Sequence, residues 1–379
     1  MSRLLPISFV CALLVSAALP AQASSSCTIK FKETTLSAGT NPQTIVTGDF
    51  NRDGKLDFAL VDYNGGSAGS VSVYLGNGDG TFQPKVDYPA GAGPDALAVG
   101  DVNGDGIPDL VVGNDLGASV SVFLGNGDGT FQAKQDYSAG LYPHGVVLAD
   151  FNGDHAPDIA VTNEGSNNVG VFLNNGDGTF AAMKTFGVAS EPYSLAPADF
   201  NGDGKTDLAV TGYYNSVISI LIGKSDGTFK TYTDVPTGTA PAVVLAHDFN
   251  GDGNIDLAAI DYNNGNTGSV SILLGKGDGT FGTHTDYATG TGPAGMTIGR
   301  FNDDKFVDLA VTNLIGNSMS ILPGNGDGTF GAPQSFTTPK YPLGVAAGRF
   351  HGQRKTKEDV VVSNDLANDA TFFLNKGCR

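Results

Sequence analysis

Apolar and polar residues alternate along most of this chain in short runs that glycine-rich or acidic segments separate. One run covers residues 96–100, the next follows at 110–112, and a third spans 120–124. Such short alternating or apolar runs predict β-strands, and no helical period accompanies them. The turn at 125–130 contains Asn-Gly and Asp-Gly pairs, which favour tight hairpins, and it leads into a fourth segment at 131–137. The pattern therefore predicts a unit of four short antiparallel strands.

This unit recurs seven times along the chain. Its marker is a nine-residue acidic loop, Asp-x-Asn-x-Asp-Gly-x-x-Asp, whose seven copies, two of them decayed, begin at 49, 101, 150, 199, 248, 300 and 349. Such a period predicts a repeat architecture, and four-stranded repeats without helices predict the all-β fold of a seven-bladed β-propeller. A proline precedes every loop by seven residues and should mark the entry to a first strand, because proline lacks the donor that a ladder needs. These prolines are Pro42, Pro94, Pro143, Pro192, Pro241, Pro293 and Pro342.

The two ends of the chain complete the ring. Residues 31–36 align with the fourth-strand segment at 82–88, whereas the chain stops at residues that align with the start of a turn, so the last repeat lacks its outer strand. We expect the N-terminal strand to pair with the C-terminal blade, because closure removes an exposed sheet edge. The same alignment brings Cys27 and Cys378 together, and it predicts a disulfide between them.

Residues 1–23 have the features of a secretory signal peptide: a basic start at Arg3, an apolar run over 4–19 and the small-x-small site at 21–23. Residues 24–379 then form the propeller domain of a secreted protein, extracellular or periplasmic, with no membrane span; we expect a monomer. The chain has 39 acidic residues against 21 lysines and arginines, a net charge of −18. That charge disfavours nucleic acid as a partner and suits divalent cations.

The acidic loops predict about five calcium sites. Calcium takes six to eight oxygen ligands, and the loop offers carboxylate or amide oxygens at positions 1, 3, 5 and 9, with a glycine that permits the turn. Position 12 lies in a strand and is apolar, which excludes an EF-hand. The predicted ligands are Asp49, Asn51, Asp53, Asp57, Asp101, Asn103, Asp105, Asp109, Asp150, Asn152, Asp154, Asp158, Asp199, Asn201, Asp203, Asp207, Asp248, Asn250, Asp252 and Asp256.

The seven loops are not equivalent. The third has His155 where glycine is expected, so we expect weaker binding there. The sixth and seventh begin with Arg300 and Arg349 and are expected to bind no calcium; the seventh also has His351 and Gln353 at positions 3 and 5 and two extra residues before Asp359. In the sixth loop, the guanidinium of Arg300 is expected to take the place of the ion and to pair with Asp304 and Asp308.

The chain from residue 24 onward resembles the FG-GAP or VCBS repeat family, to which the propeller of integrin α subunits belongs. The resemblance rests on the Asp-x-Asx-x-Asp-Gly-x-x-Asp loops. It implies a propeller whose loops bind calcium between the first and second strands of a blade, at the ligands given above. Because the family also includes lectin-like and enzyme-associated propellers, the resemblance indicates the fold more strongly than the function.

A partner is expected on the face opposite the calcium loops, where the links between second and third strands and the proline-bearing links lie. Tyrosines suit sugar rings or protein loops, although they also serve as ordinary loop cover. The candidate residues are Tyr63, Tyr142, His144, Tyr193, Tyr213, Tyr214, Tyr262 and Tyr341.

Two functions remain open. The favoured one is a non-catalytic adhesion or recognition module that binds an extracellular glycan or protein. The alternative is a polysaccharide lyase or hydrolase acting at the channel mouth, with a base such as His144. Scattered histidines and the lack of a nucleophile elbow or zinc motif disfavour the enzyme.

Overall fold

The structure is a computed structural model that describes residues 27–352 and 357–378. It contains seven four-stranded antiparallel sheets, and the strands of blades 1 to 6 follow one another in chain order. The predicted seven-bladed propeller is therefore confirmed. The predicted signal peptide at 1–23 and Gln353 of the seventh loop lie outside the described residues.

The first strand of every blade begins at one of the seven predicted prolines. The strands of blades 1 and 2 are β2 (Pro42–Gly48), β3 (Asp57–Asp62), β4 (Ala68–Tyr74), β5 (Val86–Ala92), β6 (Pro94–Gly100), β7 (Asp109–Asn114), β8 (Ser119–Phe123) and β9 (Gln135–Ser138). Those of blades 3 and 4 are β10 (Pro143–Ala149), β11 (Asp158–Asn163), β12 (Asn168–Phe172), β13 (Lys184–Gly187), β14 (Pro192–Ala198), β15 (Asp207–Gly212), β16 (Val217–Leu221) and β17 (Thr233–Pro236).

Blades 5 to 7 repeat this arrangement, and the N-terminal strand β1 belongs to blade 7. The strands of blades 5 and 6 are β18 (Pro241–His247), β19 (Asp256–Asp261), β20 (Thr267–Leu273), β21 (Thr285–Thr291), β22 (Pro293–Gly299), β23 (Asp308–Asn313), β24 (Ser318–Leu322) and β25 (Gln334–Thr337). Those of blade 7 are β26 (Pro342–Gly348), β27 (Asp359–Asn364), β28 (Asp369–Cys378) and β1 (Ile29–Ser37). Single 3₁₀ turns lie at Asn64–Gly66, Glu164–Ser166, Asn263–Gly265 and Asp365–Ala367.

Ring closure occurs as predicted. Strand β1 pairs antiparallel with β28, from Ile29 opposite Cys378 to Ser37 opposite Asp369. The disulfide between Cys27 and Cys378 lies beside this pairing and joins Cα atoms 5.2 Å apart. Because β1 pairs with no other strand, it supplies the outer edge that the last repeat lacks.

The second strand of each blade is the centre of the core, and every residue in these seven strands is buried. Blades pack face to face, so a middle strand is covered on both sides, and its central residues are apolar between a buried aspartate at the start and, in six of the seven strands, a buried aspartate or asparagine at the end. Aromatic rings lock neighbouring blades together: Phe50 of the first acidic loop contacts Phe131 of the next blade edge-on, with ring centroids 5.6 Å apart. The pair Phe200 and Phe281 repeats this contact at 5.6 Å.

The fourth strands of blades 1 and 2 begin later than the sequence predicts. The segment at 131–137 was expected to be extended throughout, but β9 begins only at Gln135, and Phe131 makes a single bridge to Gly125. The reason is the preceding turn, in which Thr130 is bonded to Asp128 and Asn126, so the chain leaves the ladder before it rejoins it. No helix within residues 27–352 and 357–378 has the length and apolar character that crossing a membrane requires.

Candidate functional site: acidic loops and the channel mouth

The acidic loops lie between the first and second strands, and main-chain amides orient their side chains. In the first loop, the N–H of Asp53 donates to Asp49 Oδ1 and to Asn51 Oδ1, each at 3.0 Å. The N–H of Gly54 donates to Asp49 Oδ2 at 2.9 Å, and Gly54 has a φ of +79°, which explains the glycine at position 6. The other four predicted calcium loops repeat the bond from position 5 to the asparagine oxygen. The local sequence thus folds oxygen donors inward.

The ninth-position aspartate has a structural role in every blade. Asp57 is fully buried, accepts the N–H of Phe50 at 2.8 Å on one oxygen and the N–H of Gly76 at 2.7 Å on the other. Asp308 makes the same two bonds in the sixth blade, where the first ligand is lost. The residue therefore ties the acidic loop to the end of the third strand with or without a metal. Sequence reasoning assigned it only as a ligand.

The donor set fits calcium in kind. Burial, with a smaller contribution from the charges of Asp49 and Asp53, raises the pKa of Asp57 to about 6, although its two amide hydrogen bonds act in the opposite direction. A divalent cation would compensate this cluster of charge, and its ligands would be the predicted oxygens. In two loops a lysine compensates part of this negative charge. Lys55 Nζ is 3.0 Å from Asp53 Oδ2, and Lys205 Nζ is 2.9 Å from Asp203 Oδ2.

The carboxylates of these loops are not drawn tightly together. Among the described residues, the only three acidic, histidine or cysteine side chains with ligand atoms mutually within 4.8 Å are Cys27, Asp303 and Cys378. Two of those are the disulfide. The loops therefore offer the oxygen types that calcium prefers. In none of the described loops do three carboxylates lie as close together as ligation of one ion would bring them.

The third loop keeps the common conformation despite its histidine. His155 has a φ of +71°, in the left-handed region that glycine occupies in the sibling loops, and its side chain is 96% exposed. Its N–H still donates to Asp150 Oδ2 at 2.9 Å. A side chain in this region costs roughly 1–2 kcal/mol. The third loop therefore adopts the same turn as the other calcium loops, at a cost in conformational energy that glycine avoids.

The sixth and seventh loops differ from expectation in how they replace the ion. Arg300 forms no ion pair with Asp304 or Asp308, so that prediction is wrong; the Asn302 amide instead donates to Asp304 Oδ2 at 2.7 Å and Asp308 Oδ1 at 3.3 Å. Arg300 is exposed, and its main chain is bonded to Glu358.

In the seventh loop, a buried imidazole takes the internal position. Nδ1 of His351 lies 2.5 Å from Asp359 Oδ2, and this histidine occupies position 3 of the loop. Its side chain is 8% exposed. A fixed side-chain donor therefore lies against the buried carboxylate in both loops, Asp308 or Asp359, and position 3 supplies it rather than the arginine at position 1.

The opposite face opens into a cavity of about 540 Å³ at the centre of the ring. First strands of all seven blades line it, as expected for the channel of a propeller. The residue that follows each strand-entry proline points into this space. These residues are Gln43, Asp95, His144, Tyr193, Ala242, Ala294 and Leu343. They are polar or aromatic in blades 1 to 4 and apolar in blades 5 to 7, which gives the mouth two chemically different halves.

Four of the eight candidate ligand-face residues meet at this mouth as a continuous row, which we call the aromatic row: His144, Tyr193, Tyr213 and Tyr262. The centroid of His144 is 4.5 Å from that of Tyr193, which is 5.2 Å from Tyr213. Tyr262 follows at 6.4 Å from Tyr213. The angles between successive ring planes are 24°, 33° and 38°, so the rings stand one against the next as a tilted stack.

The remaining four candidates lie around this row or apart from it. Tyr214 packs edge-on against Tyr213, with centroids 5.8 Å apart, and is 71% exposed. Tyr63 donates its hydroxyl to Asp115 at 3.3 Å. Tyr142 and Tyr341 end proline-bearing links with positive φ and are exposed, and neither lines the cavity.

His144 is held between two carboxylates. Its Nδ1 is 2.8 Å from Asp95 Oδ2 in the neighbouring blade, and its Nε2 is 2.9 Å from Glu164 Oε2. Burial opposes protonation, but these two hydrogen bonds and the charges of Asp95 and Asp115 outweigh it and raise the pKa of His144 to about 10. The side chain is therefore an imidazolium with both nitrogens engaged at neutral pH.

Sequence reasoning missed the carboxylates at the mouth. Asp95, Asp115 and Glu164 are not in the acidic loops, and their partners are up to 52 residues away in the sequence. One signal could have found the first of them, because Asp95 follows a strand-entry proline as His144 and Tyr193 do. Aligning the seven repeats at that position identifies the channel lining.

Comparison with known proteins places these features in a family. The model of the FG-GAP-like repeat matches residues 49–112, 101–161, 150–210, 199–259 and 248–311, and each match begins at an acidic loop. No curated protein sequence matches the chain.

Solved structures that resemble this chain are other propellers. Virginiamycin B lyase from Staphylococcus aureus is 14% identical over 91% of this chain and 99% of its own, with a TM-score of 0.62. BBS1N, solved in complex with ARL6DN, is 12% identical over 90% of this chain and 96% of its own, also at 0.62. A candidate 6-phosphogluconolactonase from Bacteroides uniformis is 17% identical over 80% and 88%, again at 0.62. At these identities the likeness extends to the fold alone.

Proposed function

This chain belongs to the FG-GAP-like repeat family, and from that premise we propose that it is a secreted, calcium-binding recognition module that binds an extracellular glycan or protein without catalysing a reaction. The observation that carries the proposal is the aromatic row at the channel mouth. Tyrosine rings with polar tips around an open cavity of about 540 Å³ suit a ligand that presents both apolar and hydroxyl surface.

The state of His144 favours binding over catalysis. A general base needs a free nitrogen, whereas this imidazolium donates to Asp95 and Glu164, and its pKa is raised to about 10. It therefore acts as a fixed positive charge that joins blades 2 and 3. The named lyase and lactonase among the similar structures share the fold and support no activity here.

Calcium has a structural role in this proposal. The ions would be held by the oxygen donors of loops 1 to 5, each of which has the amide-oriented arrangement described above. A bound ion would compensate the acidic charge of the loop face. At about millimolar calcium, with dissociation constants of about 10⁻⁴ to 10⁻³ M, each site adds on the order of 1 kcal/mol by mass action.

Export agrees with two features of the chain. The Cys27–Cys378 disulfide is of a kind that persists in oxidising compartments. The sequence of residues 1–23 is typical of a signal peptide. Amino-terminal sequencing of the exported protein should begin at residue 24, and a chain that retains residues 1–23 in the cytoplasm would contradict export.

The binding proposal is tested by screening the calcium-loaded protein on a glycan array and against surface proteins, in parallel with a polysaccharide-degradation assay. We expect binding that the Tyr213→Ala variant weakens, with no turnover. Turnover that the His144→Gln variant abolishes would overturn the proposal in favour of an enzyme at the channel mouth.

A further inference from the structure

Glycine follows asparagine at ten positions of the chain, and asparagine loses its side-chain amide most readily in this pair. The main-chain nitrogen of the glycine attacks the side-chain carbonyl carbon of the asparagine, and ammonia leaves. Water then opens the cyclic imide to aspartate or to isoaspartate. Glycine favours the ring closure because it has no Cβ atom and a flexible backbone. The asparagines are Asn64, Asn77, Asn103, Asn126, Asn152, Asn175, Asn201, Asn250, Asn264 and Asn325.

Four of these pairs lie in acidic loops 2 to 5, where an aspartate holds the attacking nitrogen. The N–H of Gly104 donates to Asp101 Oδ1 at 2.7 Å. Hydrogen bonds to a charged acceptor are among the stronger ones, and the attack requires this nitrogen to give up its hydrogen. The asparagines of these loops are therefore shielded. The equivalent bonds run from Gly153 to Asp150 at 2.7 Å, from Gly202 to Asp199 at 2.8 Å and from Gly251 to Asp248 at 2.7 Å.

Two further pairs have a neutral acceptor for the glycine N–H. Gly176 donates to Asn174 Oδ1 at 2.9 Å, and Gly265 donates to the carbonyl oxygen of Tyr262 at 3.1 Å. Hydrogen bonds to neutral acceptors are the weaker kind. The preceding asparagines are therefore shielded less than those of the acidic loops.

The remaining four pairs leave the attacking nitrogen free. Within residues 27–352 and 357–378, the glycine N–H of each pair donates to no acceptor, and each asparagine is exposed. Water therefore reaches the imide as soon as it forms. The pairs are Asn64 with Gly65, Asn77 with Gly78, Asn126 with Gly127 and Asn325 with Gly326.

The turns between third and fourth strands isolate the effect of one hydrogen bond. In four of these turns an asparagine precedes glycine, and its Nδ2 donates to the hydroxyl of the threonine four residues later. Among these four turns, a side chain holds the glycine N–H in blade 3 alone, because Asn174 replaces the glycine that its siblings have, such as Gly125. Asn175 and Asn126 therefore differ in the bond to the attacking nitrogen.

We infer that Asn64, Asn77, Asn126 and Asn325 are sites of spontaneous deamidation in the folded protein, whereas the asparagines of acidic loops 2 to 5 are preserved. The reaction consumes one water, releases one ammonia and requires no enzyme or cofactor. Each event adds one negative charge, and the isoaspartate product lengthens the main chain by one methylene group. The inference is independent of the proposed function, because it involves no ligand and no metal.

Three of the four sites lie in turns that join neighbouring blades. In blade 2, the N–H of Gly129 donates to the carbonyl oxygen of Phe50 in the preceding acidic loop at 3.1 Å. Gly80 and Gly328 make the equivalent bond in blades 1 and 6. A longer main chain at the asparagine changes the spacing of the turn, so the modified protein should lose part of this contact and melt at a lower temperature.

The test follows all ten sites by peptide mapping with mass spectrometry, and isoaspartyl methyltransferase labels the isoaspartate. The native protein is aged in mildly alkaline buffer beside a sample unfolded in denaturant, which gives each site its intrinsic rate. Relative to that rate, the four free sites should react at least about tenfold faster than the four sites in acidic loops, because a hydrogen bond to a charged group must break before the attack. Asn175 and Asn264 should react at rates between these two groups.

Two variants at one position change the rate in opposite directions. Asn174→Gly gives blade 3 the residue of its siblings and frees the N–H of Gly176, so Asn175 should react as fast as Asn126. Asn174→Asp offers this N–H a charged acceptor, so Asn175 should react more slowly than in the wild type. In both variants the other nine sites are the control and should keep their rates.

Equal relative rates in the acidic loops and at the free sites would overturn the inference, as would preservation of all four free sites in the native protein. A folded Asn174→Gly protein in which Asn175 keeps its wild-type rate would overturn the role of the glycine N–H. If neither variant folds, equal rates of Asn175 and Asn126 in the wild type decide the same point.

The structural consequence has its own readout, the melting temperature after ageing. It should fall for the wild type and stay constant for the variant that combines Asn64→Gln, Asn77→Gln, Asn126→Gln and Asn325→Gln, because the larger ring that glutamine must form closes slowly. An equal fall in both proteins would overturn the loss of the contact between blades.

Discussion

Asp261 is the position at which a single atom change should stabilise this protein. It ends the second strand of blade 5, where four sibling blades have asparagine: Asn114, Asn163, Asn313 and Asn364. Asp261 is 1% exposed and accepts the hydroxyls of Ser269 and Ser271, but its Oδ1 has no partner. We predict that Asp261→Asn, which removes the buried charge and keeps the shape, raises the free energy of unfolding at neutral pH.

The size of the effect follows from the pKa. Burial raises the pKa of Asp261 to about 6, against the two serine hydrogen bonds, and the charge of Asp286 adds to the rise while His284 reduces it. A rise of two pKa units corresponds to about 3 kcal/mol. Because the folded state holds this proton more tightly, the wild-type protein loses that stability as pH rises from about 4 through 6. The asparagine variant has no such loss.

The assay is denaturant unfolding of both proteins at pH 4 and pH 8 with calcium held constant. The stability gained by Asp261→Asn should be up to about 3 kcal/mol larger at pH 8 than at pH 4. Asp62→Asn in blade 1 is the matched control, because Asp62 has a partner for each oxygen, including the Gly39 N–H at 2.9 Å, and should gain less. A gain that is equal at the two pH values would refute the reasoning.

Three further predictions concern the metal, the third loop and the ring closure. Chelation of calcium should lower the melting temperature, by scanning calorimetry, and an unchanged transition would contradict a structural role. His155→Gly should relieve about 1 kcal/mol of left-handed strain and tighten calcium binding at loop 3, whereas Gly204→His should do the reverse in loop 4; opposite signs in a calcium titration would count against this. Cys27→Ser should cost up to about 5 kcal/mol in the chain-entropy view, and a reductant should destabilise the wild type but not the variant; equal responses would rule out the disulfide as the cause.

The sequence could predict the architecture because the repeat determines it. Each strand-entry proline, each acidic loop and each hairpin turn acts within about ten residues of itself, so the unit can be identified without knowing what packs around it. The ring closure was also accessible, because an incomplete last repeat and an unassigned first strand complement each other. The predicted starts of the fourth strands at 82 and 131 are too early, since a hairpin signal does not fix where the ladder resumes.

Contacts between side chains of neighbouring blades could not be predicted from the sequence. The pairing of Arg300 with Asp304 was expected from loop position alone, but Asn302 already binds that carboxylate, and Glu358 of the next blade holds the main chain of Arg300. The cluster around His144 likewise joins blades 2 and 3. Nothing in the spacing of a repeat tells which side chains of neighbouring blades meet.

The ninth-position aspartate and the residue after the proline illustrate how a repeat constrains one face and frees the other. Asp57 and its six counterparts bond two main-chain amides, so this position is an aspartate even at Asp308, where the first calcium ligand is lost. The residue after the proline makes no bond that the repeat requires, and it varies from Asp95 to Ala294. The residues that hold the blades together therefore lie on the loop face, and the residues that are free to contact a ligand lie at the mouth. For this reason the more regular motif identifies the fold, and the less regular position is the one to mutate when the ligand is sought.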